Sequence, residues 1–365
     1  ALFILIILVC IIAYSLVIIF LSSRIRKHDM VPADGRKQSA MVSVIIPFRN
    51  EEPHLPLLIN DLKSQSFPPG LWEVIWVNDH STDRSGEIAE SMITDTPYFK
   101  YLTMPPGRSG KKAALAFGIQ HASHERLIQV DADCRVGSRF IASHMAFLEK
   151  CPADLVAGLV STFSARKKFL EVFERLDLLA LAGVGAGSFG IGRPMMCSGA
   201  NLSYSRELYR ETRAYDPSEA IESGDDMFLM IGARKLNKTL AYNTTFESCV
   251  FTSPVSTFRQ LVAQRVRWGA KSTSYGMADI QWLAMLVTLT NLGIFLMPLW
   301  FFLFPGGWWW LAGVWILKSL ADFVLLYRIS GMAHQRGNLP WFIPVSLGYY
   351  PVFFLSMVGI CLLYT

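Results

Sequence analysis

The sequence predicts an α/β domain with a mainly parallel sheet, framed by one apolar helix before it and three after it. Short apolar runs alternate with helical patterns from residue 41 to residue 140, as in sheets whose parallel strands are joined by helices. The run Leu127–Val130 leads directly into Asp131 and Asp133, and ligands bind such sheets at the carboxyl ends of the strands. Apolar stretches outside this region are long enough to cross a bilayer.

The composition also favours a membrane protein. Of the 365 residues, 52% are hydrophobic and 10 are tryptophan. The formal net charge of +5 comes without a basic tail or a nucleic-acid-binding motif, which argues against a nucleic-acid partner. None of the 6 cysteines lies in a C-x-x-C or zinc-binding pattern, so we expect free thiols in the reducing environment of the cytosol.

The first apolar stretch, residues 1–23, carries no charge and predicts an N-terminal membrane helix. A signal peptide is the alternative, although its apolar region would be shorter and a small-residue cleavage site would follow it. Basic residues come directly after the stretch, and the positive-inside rule places this end of the helix in the cytoplasm. Residues 24–40 are then a linker to the predicted domain, residues 41–253.

Three further membrane helices are predicted over residues 280–304, 308–329 and 341–364. The loop between the last two is basic, so we expect a bacterial inner-membrane protein with a cytoplasmic α/β domain and both termini on the far side. Lys318 and Asp322 are four residues apart and share a helix face. We interpret them as a structural ion pair, with contact to a lipid head group as the alternative.

Within the domain, strand and helix patterns alternate up to the carboxylate pair. The predicted elements are strand 41–47, helix 55–64, strand 72–77, helix 85–93, strand 98–103, and a glycine-rich turn leading into a helix over 107–118. Because the carboxyl ends of parallel strands share one edge, we expect the polar residues that follow them to lie together. Asp131 and Asp133 offer the oxygen ligands that Mg²⁺ and Mn²⁺ prefer.

Seven short motifs occur in order along the chain. They are VSVIIPFRNEE (42–52), VNDHSTD (77–83), GKKAAL (110–115), DAD (131–133), GAN (199–201), GDDMFL (224–229) and QRVRW (264–268). In this order they resemble the family-2 glycosyltransferases with the GT-A fold, which is a Rossmann-like α/β fold. The last three resemble the membrane-integrated branch that includes cellulose, chitin and hyaluronan synthases and ceramide glucosyltransferase. The resemblance covers about residues 41–271.

The resemblance implies a donor site at the ends of the first strands. Pro47, Arg49, Glu51 and Asp79 match the positions that hold the nucleotide base and ribose, and UDP is the expected nucleotide. A carboxylate accepts hydrogen bonds from a uracil N–H or a ribose hydroxyl, and an arginine stacks or binds phosphate. A helix-capping turn is the alternative for Asp79.

The next two motifs are implied to hold the diphosphate and its metal ion, Mg²⁺ or Mn²⁺. Lys111 matches the diphosphate contact, with Lys112 as the alternative. Asp131 matches a ligand of the ribose or the metal, and Asp133 matches the metal ligand. No third protein ligand is evident, so water and phosphate oxygens are expected to complete the shell. Such an ion stabilises the departing nucleotide as a Lewis acid.

The implied general base is Asp226, which would take a proton from the acceptor hydroxyl and give inversion at the anomeric carbon. Asp225 stands where the family has glutamate, so its role stays open. Simple capping of the next helix is the alternative for both carboxylates. Gly199, Ala200 and Asn201 are implied to lie near the acceptor.

The last motif places Gln264, Arg265, Arg267 and Trp268 on a helix predicted over residues 255–272. Gln264 lies three residues from Arg267 and four from Trp268, so these side chains share a face. The resemblance implies catalytic roles, in which arginine holds the leaving phosphate and Trp268 forms a wall for the acceptor. A basic amphipathic helix on the membrane surface is the alternative.

An earlier helical pattern predicts a helix at the membrane interface or, alternatively, in the core. Its apolar residues are Phe169, Phe173, Leu176 and Ala180. The glycine-rich run 183–192 predicts a flexible segment near the acceptor entrance. The segment 254–279, which contains the last motif, is also predicted to lie at the interface, directly before the three membrane helices of residues 280–364.

Together these features predict a membrane-embedded, inverting, metal-dependent glycosyltransferase. Its partners would be a nucleotide-sugar donor, a lipid-linked or membrane-proximal hydroxyl acceptor on the cytoplasmic face, and the bilayer. A processive polysaccharide synthase is the alternative within this class, and a pore lined by two copies stays open. An inactive nucleotide-sugar-binding scaffold is the alternative of another class, but it would be expected to lack Asp133 or Asp226, which are present.

Overall fold

The computed structural model of the protein describes residues 2–29, 40–163, 168–213, 224–270, 275–299 and 308–364. The chain divides into an α/β unit, residues 26–163 and 192–253, and a helical unit, residues 1–25, 164–191 and 254–365. This division differs from the predicted domain, because residues 164–191 group with the helices near the two ends of the chain. Most of the predicted linker lies outside the described residues.

The α/β unit contains two sheets. Its strands, named β1 to β10 in chain order, are Val42–Phe48, Trp72–Asn78, Phe99–Thr103, Arg126–Gln129, Cys134–Val136, Leu155–Gly158, Val160–Thr162, Leu202–Ser205, Leu240–Asn243 and Val250–Thr252. The main sheet has the order β3-β2-β1-β4-β8-β6-β9, and the small sheet has the order β5-β10-β7. Among the described strands of the main sheet, β8 runs antiparallel to both neighbours and the other pairs are parallel. The predicted α/β class with a mainly parallel sheet is confirmed.

Helices alternate with the strands of the α/β unit and make up the helical unit. The helices, named α1 to α12 in chain order, are Leu2–Arg24, Leu55–Lys63, Ser85–Ile93, Lys111–His121, Phe140–Lys150, Phe169–Gly190, Arg206–Thr212, Asp225–Lys235, Phe258–Gly269, Ala278–Phe295, Trp308–Met332 and Phe342–Tyr364. Helices α2 to α5, α7 and α8 belong to the α/β unit. Every element predicted between residues 41 and 121 forms, with its ends shifted by a few residues at most.

The first strand is buried along its whole length because apolar side chains pack on both of its faces. Val44 and Ile46 belong to a core cluster that also contains Leu55 of α2. On the opposite face, Ile45 packs so closely on α4 that a Cβ on Gly118 would lie 2.7 Å from its side chain. These contacts fix the direction in which β1 leaves the core.

The sheet register brings the carboxyl ends of three strands to one edge. Phe48 pairs with Asn78 across β1 and β2, and Ile45 pairs with Gln129 across β1 and β4. The strands end at or near these pairs, so the segments that follow β1, β2 and β4 emerge side by side. This is the edge where the sequence predicts the ligand.

In the helical unit, three of the described segments are long and apolar enough to cross a membrane. Judged by length and composition, they are Leu5–Arg24, Ala278–Leu299 and Arg336–Cys361. They correspond to the first, second and fourth predicted spans, and the end of the second predicted span lies outside the described residues. The third predicted span forms the 25-residue helix α11, which is not among the three. Membrane crossing and orientation stay predictions.

Lys318 and Asp322 of α11 are paired with each other. Lys318 Nζ lies 2.6 Å from Asp322 Oδ2, and the hydroxyl of Tyr14 in α1 donates to Asp322 Oδ1 at 2.7 Å. The ammonium also lies 4.9 Å from the centre of the Tyr350 ring. Such partners reduce the cost of burying a charge among apolar helices. The predicted pairing of the two residues is confirmed, whereas its purely structural role stays a prediction.

The glycine-rich run 183–192 is not a flexible segment, and that prediction is wrong. Most of the run lies in helix α6, where its glycines allow close approach of α1. A Cβ on Gly187 would lie 2.5 Å from the carbonyl oxygen of Leu21, and one on Gly190 would lie closer still to that of Arg24. Small residues spaced along one helix face permit this kind of packing.

The apolar pattern at the start of α6 faces the helical unit. Phe173 and Leu176 are buried, and the Phe173 ring stacks on Tyr349 of α12 with the ring centres 6.3 Å apart. Phe169 is 45% exposed. Two of the four pattern residues are therefore buried among the helices, and the choice between the core and interface alternatives stays a prediction.

Candidate active site

The loops after β1 and β2 turn sharply and are tied together. Asn50 and His80 have left-handed backbones, with φ of +55° and +53°. Asn50 Oδ1 accepts a hydrogen bond from the backbone N–H of Thr82 at 2.8 Å, and the backbone N–H of Asn50 donates to Ser81 Oγ at 3.1 Å. Asparagine adopts this backbone conformation more readily than most residues. The two strand ends are therefore held in one arrangement.

Asp79, directly after β2, is buried with one carboxylate oxygen paired and the other unpaired. Its Oδ2 accepts from the backbone N–H of Gly110 at 2.8 Å, whereas Oδ1 has no hydrogen-bond partner among the described residues. An unpaired buried polar atom costs free energy, so Oδ1 is well placed to accept a hydrogen bond from a ligand. Asp79 does not cap α3, whose preceding residue is Arg84, but its bond reaches Gly110, the residue before α4.

The other predicted donor residues lie at the end of β1. Pro47 is buried within the strand, whereas Arg49 is exposed. Glu51 is half-buried, and its Oε2 lies 2.7 Å from His54 Nδ1. Burial raises the pKa of Glu51 against the opposing hydrogen bond from His54, and the charge of Asp133 adds to the rise. The donor contacts of Pro47, Arg49 and Glu51 stay predictions.

Lys111, the first residue of α4, lies where three segments of the chain meet. Its Nζ is 2.6 Å from Asp131 Oδ1 at the end of β4. Burial lowers the pKa of Lys111, but the charges of Asp131, Asp225 and Asp226 outweigh burial and raise it. The ammonium therefore lies in the field of three carboxylates that are far apart in the sequence.

The carboxylates of Asp131 and Asp133 fit a divalent cation. Asp133 Oδ2 accepts from Thr252 Oγ1 at 3.1 Å, and burial together with the charge of Asp131 raises the pKa of Asp133. A cation beside both carboxylates would relieve their repulsion, and oxygen ligands suit Mg²⁺ or Mn²⁺. In the part of the chain that the structure describes, no group of three or more His, Cys, Asp or Glu side chains is arranged to hold a metal. Water and phosphate oxygens would therefore supply most of the shell.

Asp226 lies in the first turn of α8, and a backbone N–H holds each of its carboxylate oxygens. The N–H of Gly199 donates to Oδ2 and the N–H of Met227 donates to Oδ1, both at 2.8 Å. Burial and the charge of Asp225 nevertheless raise the pKa of Asp226 to about 6. A carboxylate with this pKa is ionised at neutral pH and is more basic than an ordinary aspartate. Asp226 thus has the properties that a general base requires.

Gln129, the last residue of β4, connects this strand to α8. Its Nε2 donates to Asp225 Oδ2 at 3.2 Å, and its Oε1 accepts from the hydroxyl of Tyr204 at 3.2 Å. None of the predicted roles includes Gln129. The available signal was an amide within the otherwise apolar run 127–130, two residues before Asp131.

Ala200 and Asn201, which are predicted to lie near the acceptor, are both buried, and their proximity to the acceptor stays a prediction. The Nδ2 of Asn201 donates to the carbonyl oxygens of Leu159 and Ser248 at 2.8 and 2.7 Å. Its Oδ1 accepts from His144 Nε2 at 3.0 Å. These bonds occupy the amide of Asn201 inside the α/β unit.

The QRVRW motif lies on α9 in the helical unit. This helix starts later than predicted, because Thr257 and Gln260 form a capping box at its N-terminus. The predicted end, Ser272, lies outside the described residues.

Within this motif, the Arg265 side chain is only 10% exposed and contacts other helices. Its guanidinium pairs with Asp177 of α6 and lies 4.7 Å from the centre of the Tyr349 ring. This arrangement favours a structural role for Arg265 over the predicted catalytic one. The other residues of the motif are less buried, and their catalytic roles stay predictions: Gln264, Arg267 and Trp268.

Comparison with known proteins agrees with the arrangement of the α/β unit. The family model described as glycosyl transferase family 2 matches residues 43–213. The glycosyltransferase AglE of Haloferax volcanii is 24% identical over 240 residues, which are 65% of this chain and 75% of that protein. An undecaprenyl-phosphate 4-deoxy-4-formamido-L-arabinose transferase of Pectobacterium carotovorum is 36% identical over 93 residues, which are 25% of this chain and 28% of that protein.

A similar solved structure is that of a mannosyltransferase from Pyrobaculum calidifontis in complex with GDP-Man and Mn²⁺. It covers 97% of this chain and 99% of its own, with a TM-score of 0.59 and 16% identity, so the likeness concerns the fold. The family match indicates a glycosyltransferase family 2 domain in residues 43–213, and the likeness in fold supports the GT-A fold. This domain indicates a nucleotide-sugar-dependent glycosyltransferase.

Proposed function

We propose that this protein is a membrane-embedded, inverting, metal-dependent glycosyltransferase whose acceptor is a hydroxyl group on a lipid-linked molecule. The observation that carries the proposal is the position of Lys111. Its ammonium pairs with Asp131 and lies in the field of Asp225 and Asp226. A cationic side chain, a cation-binding carboxylate pair and a basic carboxylate are thus close together, as transfer from a sugar diphosphate requires.

In the proposed reaction, Asp226 takes the proton of the acceptor hydroxyl while the hydroxyl oxygen bonds to the anomeric carbon. The bond from that carbon to the diphosphate oxygen breaks, and the nucleoside diphosphate leaves with the bonding electrons. Attack opposite the leaving group inverts the anomeric carbon. Lys111 balances the negative charge that develops on the diphosphate.

The donor would be held along the edge of the sheet. Asp79 Oδ1, which has no partner among the described residues, would accept a hydrogen bond from the base or the ribose. Asp133, with Asp131, would hold a divalent ion, which when bound stabilises the leaving group as a Lewis acid. The motifs favour UDP, whereas the mannosyltransferase of the same fold was solved with GDP-Man and Mn²⁺. Both nucleotides therefore belong in the test.

A lipid-linked acceptor at the membrane is supported by two observations. Three described segments are long and apolar enough to cross a bilayer. Some relatives are named for lipid phosphates, among them the undecaprenyl-phosphate transferase. A phosphate acceptor is already largely anionic near neutral pH, whereas a hydroxyl needs a base. The raised pKa of Asp226 therefore favours a hydroxyl acceptor.

The proposal is tested with the purified full chain in lipid nanodiscs. The donors are radiolabelled UDP-glucose, UDP-N-acetylglucosamine and GDP-mannose with Mn²⁺ or Mg²⁺, and the acceptors are a diacylglycerol, a glycolipid and undecaprenyl phosphate. Labelled lipid with an inverted anomeric centre, identified by mass spectrometry and NMR, is the expected result. Long sugar chains would show a processive synthase instead. Nucleotide binding without transfer to any acceptor would refute the proposal in favour of a scaffold.

A further inference from the structure

The turn of residues 198–201 contacts the proposed base. The backbone N–H of Gly199 donates to Asp226 Oδ2 at 2.8 Å. A Cβ on Gly199 would lie 3.0 Å from Gln129 Nε2 and 3.3 Å from Asp226 Cβ. A side chain at position 199 would therefore press on the base and on the amide that holds its neighbouring carboxylate.

The turn itself is fixed from inside the α/β unit. The backbone N–H of Asn201 closes the turn on the carbonyl of Ser198 at 3.1 Å, and the Asn201 amide is anchored by its three buried hydrogen bonds. One of these bonds comes from His144, and burial lowers the pKa of His144 to about 4. The imidazole is therefore neutral near pH 7, and this anchor does not change over the range in which Asp226 titrates.

We propose that the segment Gly199–Asn201 is a positioning element for the general base rather than an acceptor-binding surface. Asn201 anchors the turn, and the N–H of Gly199 holds Asp226 Oδ2 in one orientation. This inference rests on the proposed function, in which Asp226 is the base. A backbone donor in an anchored turn cannot rotate away, unlike a side-chain donor, so it defines the direction of the carboxylate.

The charges near Asp226 set the sign of the expected effect. Asp225 on the same helix raises the pKa of Asp226, Lys111 from α4 lowers it, and the Cys197 thiol donates to the Asp226 carbonyl oxygen at 3.5 Å. The hydrogen bond from Gly199 also lowers the pKa, because it stabilises the ionised carboxylate. Weakening this bond, with the other groups unchanged, moves the pKa upward.

The first test is Gly199→Ala in the full chain, assayed for transfer over a range of pH. We expect kcat to fall about tenfold, as for a weakened hydrogen bond to a charged group, and the acidic limb of its pH profile to move up by about one pH unit. The KM values for donor and acceptor are expected to stay within about twofold, because no contact to either is removed.

The second test is His144→Phe, which keeps a ring beside Phe140 and removes the hydrogen bond to Asn201. Two of the three anchors of Asn201 remain, so we expect the same two changes with smaller size. Thermal unfolding of each variant shows that it is folded. If Gly199→Ala does not fold, His144→Phe decides the matter by the same criteria.

A severalfold rise in acceptor KM, with kcat and the acidic limb unchanged, would show an acceptor-binding surface and overturn the inference. Folded variants with wild-type kcat and pH profile would also overturn it. Absence of transfer by the wild-type protein would instead refute the proposed function, so the two failures are distinguishable.

Discussion

Replacing Asp226 by asparagine separates the chemistry of the site from its folding. The amide cannot accept the acceptor proton, so we expect transfer to fall by about 10²–10⁴-fold, the usual contribution of a positioned base. Donor binding is expected to be retained, because the proposed contacts to the nucleotide come from Asp79 and Lys111.

The effect on stability follows from two opposing terms at the same residue. The pKa of about 6 for Asp226, compared with the ordinary 3.8, means that its ionised form costs the fold about 3 kcal/mol at neutral pH. This cost appears as pH rises through the interval between the two values, and a neutral asparagine removes it. Asparagine has one acceptor oxygen instead of two, so the N–H of Gly199 or Met227 loses its partner at a cost of about 1–3 kcal/mol. We therefore expect a change in unfolding free energy below about 3 kcal/mol, and no loss of the fold.

The wild-type protein should show the same pKa in its activity. The ionised fraction of a group with a pKa of about 6 falls roughly tenfold between pH 7 and pH 5, so kcat is expected to fall by about that factor. The assay is transfer of labelled sugar in nanodiscs, accompanied by titration with nucleotide and by thermal unfolding. Asp95→Asn, which changes an exposed aspartate of the α/β unit, is the matched control. Wild-type transfer rates in Asp226→Asn, with the same acidic limb, would refute the assignment of the base.

Three further predictions concern other parts of the protein. Lys111→Met is expected to lower kcat/KM for the donor by about 10–100-fold, because a charge-assisted contact is lost. Lys112→Met is the control and should change kcat/KM by less than about twofold. Equal effects of the two variants would contradict the choice of Lys111. Asp133→Asn is expected to raise the Mn²⁺ concentration needed for half-maximal activity, and chelation of metal should stop the wild-type enzyme. If the chelated enzyme remains active, metal dependence is wrong. Arg265→Met leaves Asp177 buried without its cation. We expect the free energy of unfolding, measured by heat or denaturant, to fall by about 3–5 kcal/mol. The double variant Arg265→Met/Asp177→Leu is expected to recover most of this loss. Unchanged unfolding with lost activity would instead support the catalytic role.

The α/β class and the edge of the site followed from the sequence, because both rest on local patterns. Parallel strands are recognised from their apolar runs, and their carboxyl ends must share an edge. Residues at or just after the end of a strand, such as Asp79 and Asp131, were therefore placed at the correct edge without knowledge of the packing. The position of Asp226 was predicted only from the resemblance of its motif. The sequence does not show where a helix N-terminus far along the chain lies relative to the sheet.

Side chains whose role depends on a distant partner could not be assigned in this way. Arg265 belongs to a motif with implied catalytic roles, and only the position of Asp177 in another helix shows that its charge is already paired. The glycines of α6 illustrate the same limit, because a glycine-rich run suits both a flexible loop and a close helix contact, and the neighbouring backbone of α1 decides between them.

The backbone contribution to the site is the part that sequence reasoning misses most completely. Every residue except proline has an N–H, so nothing in the letters marks the one at Gly199 as the donor to Asp226. The sequence does show two features that accompany this donor. Position 199 has no side chain at the point of contact, and Asn201, whose buried amide holds the turn, follows two positions later. A glycine two residues before a hydrogen-bonded, buried asparagine is therefore as consistent with positioning a catalytic side chain as with contacting a substrate. The kcat and the pH profile of Gly199→Ala distinguish these two roles. Both are expected to change only if position 199 positions the general base.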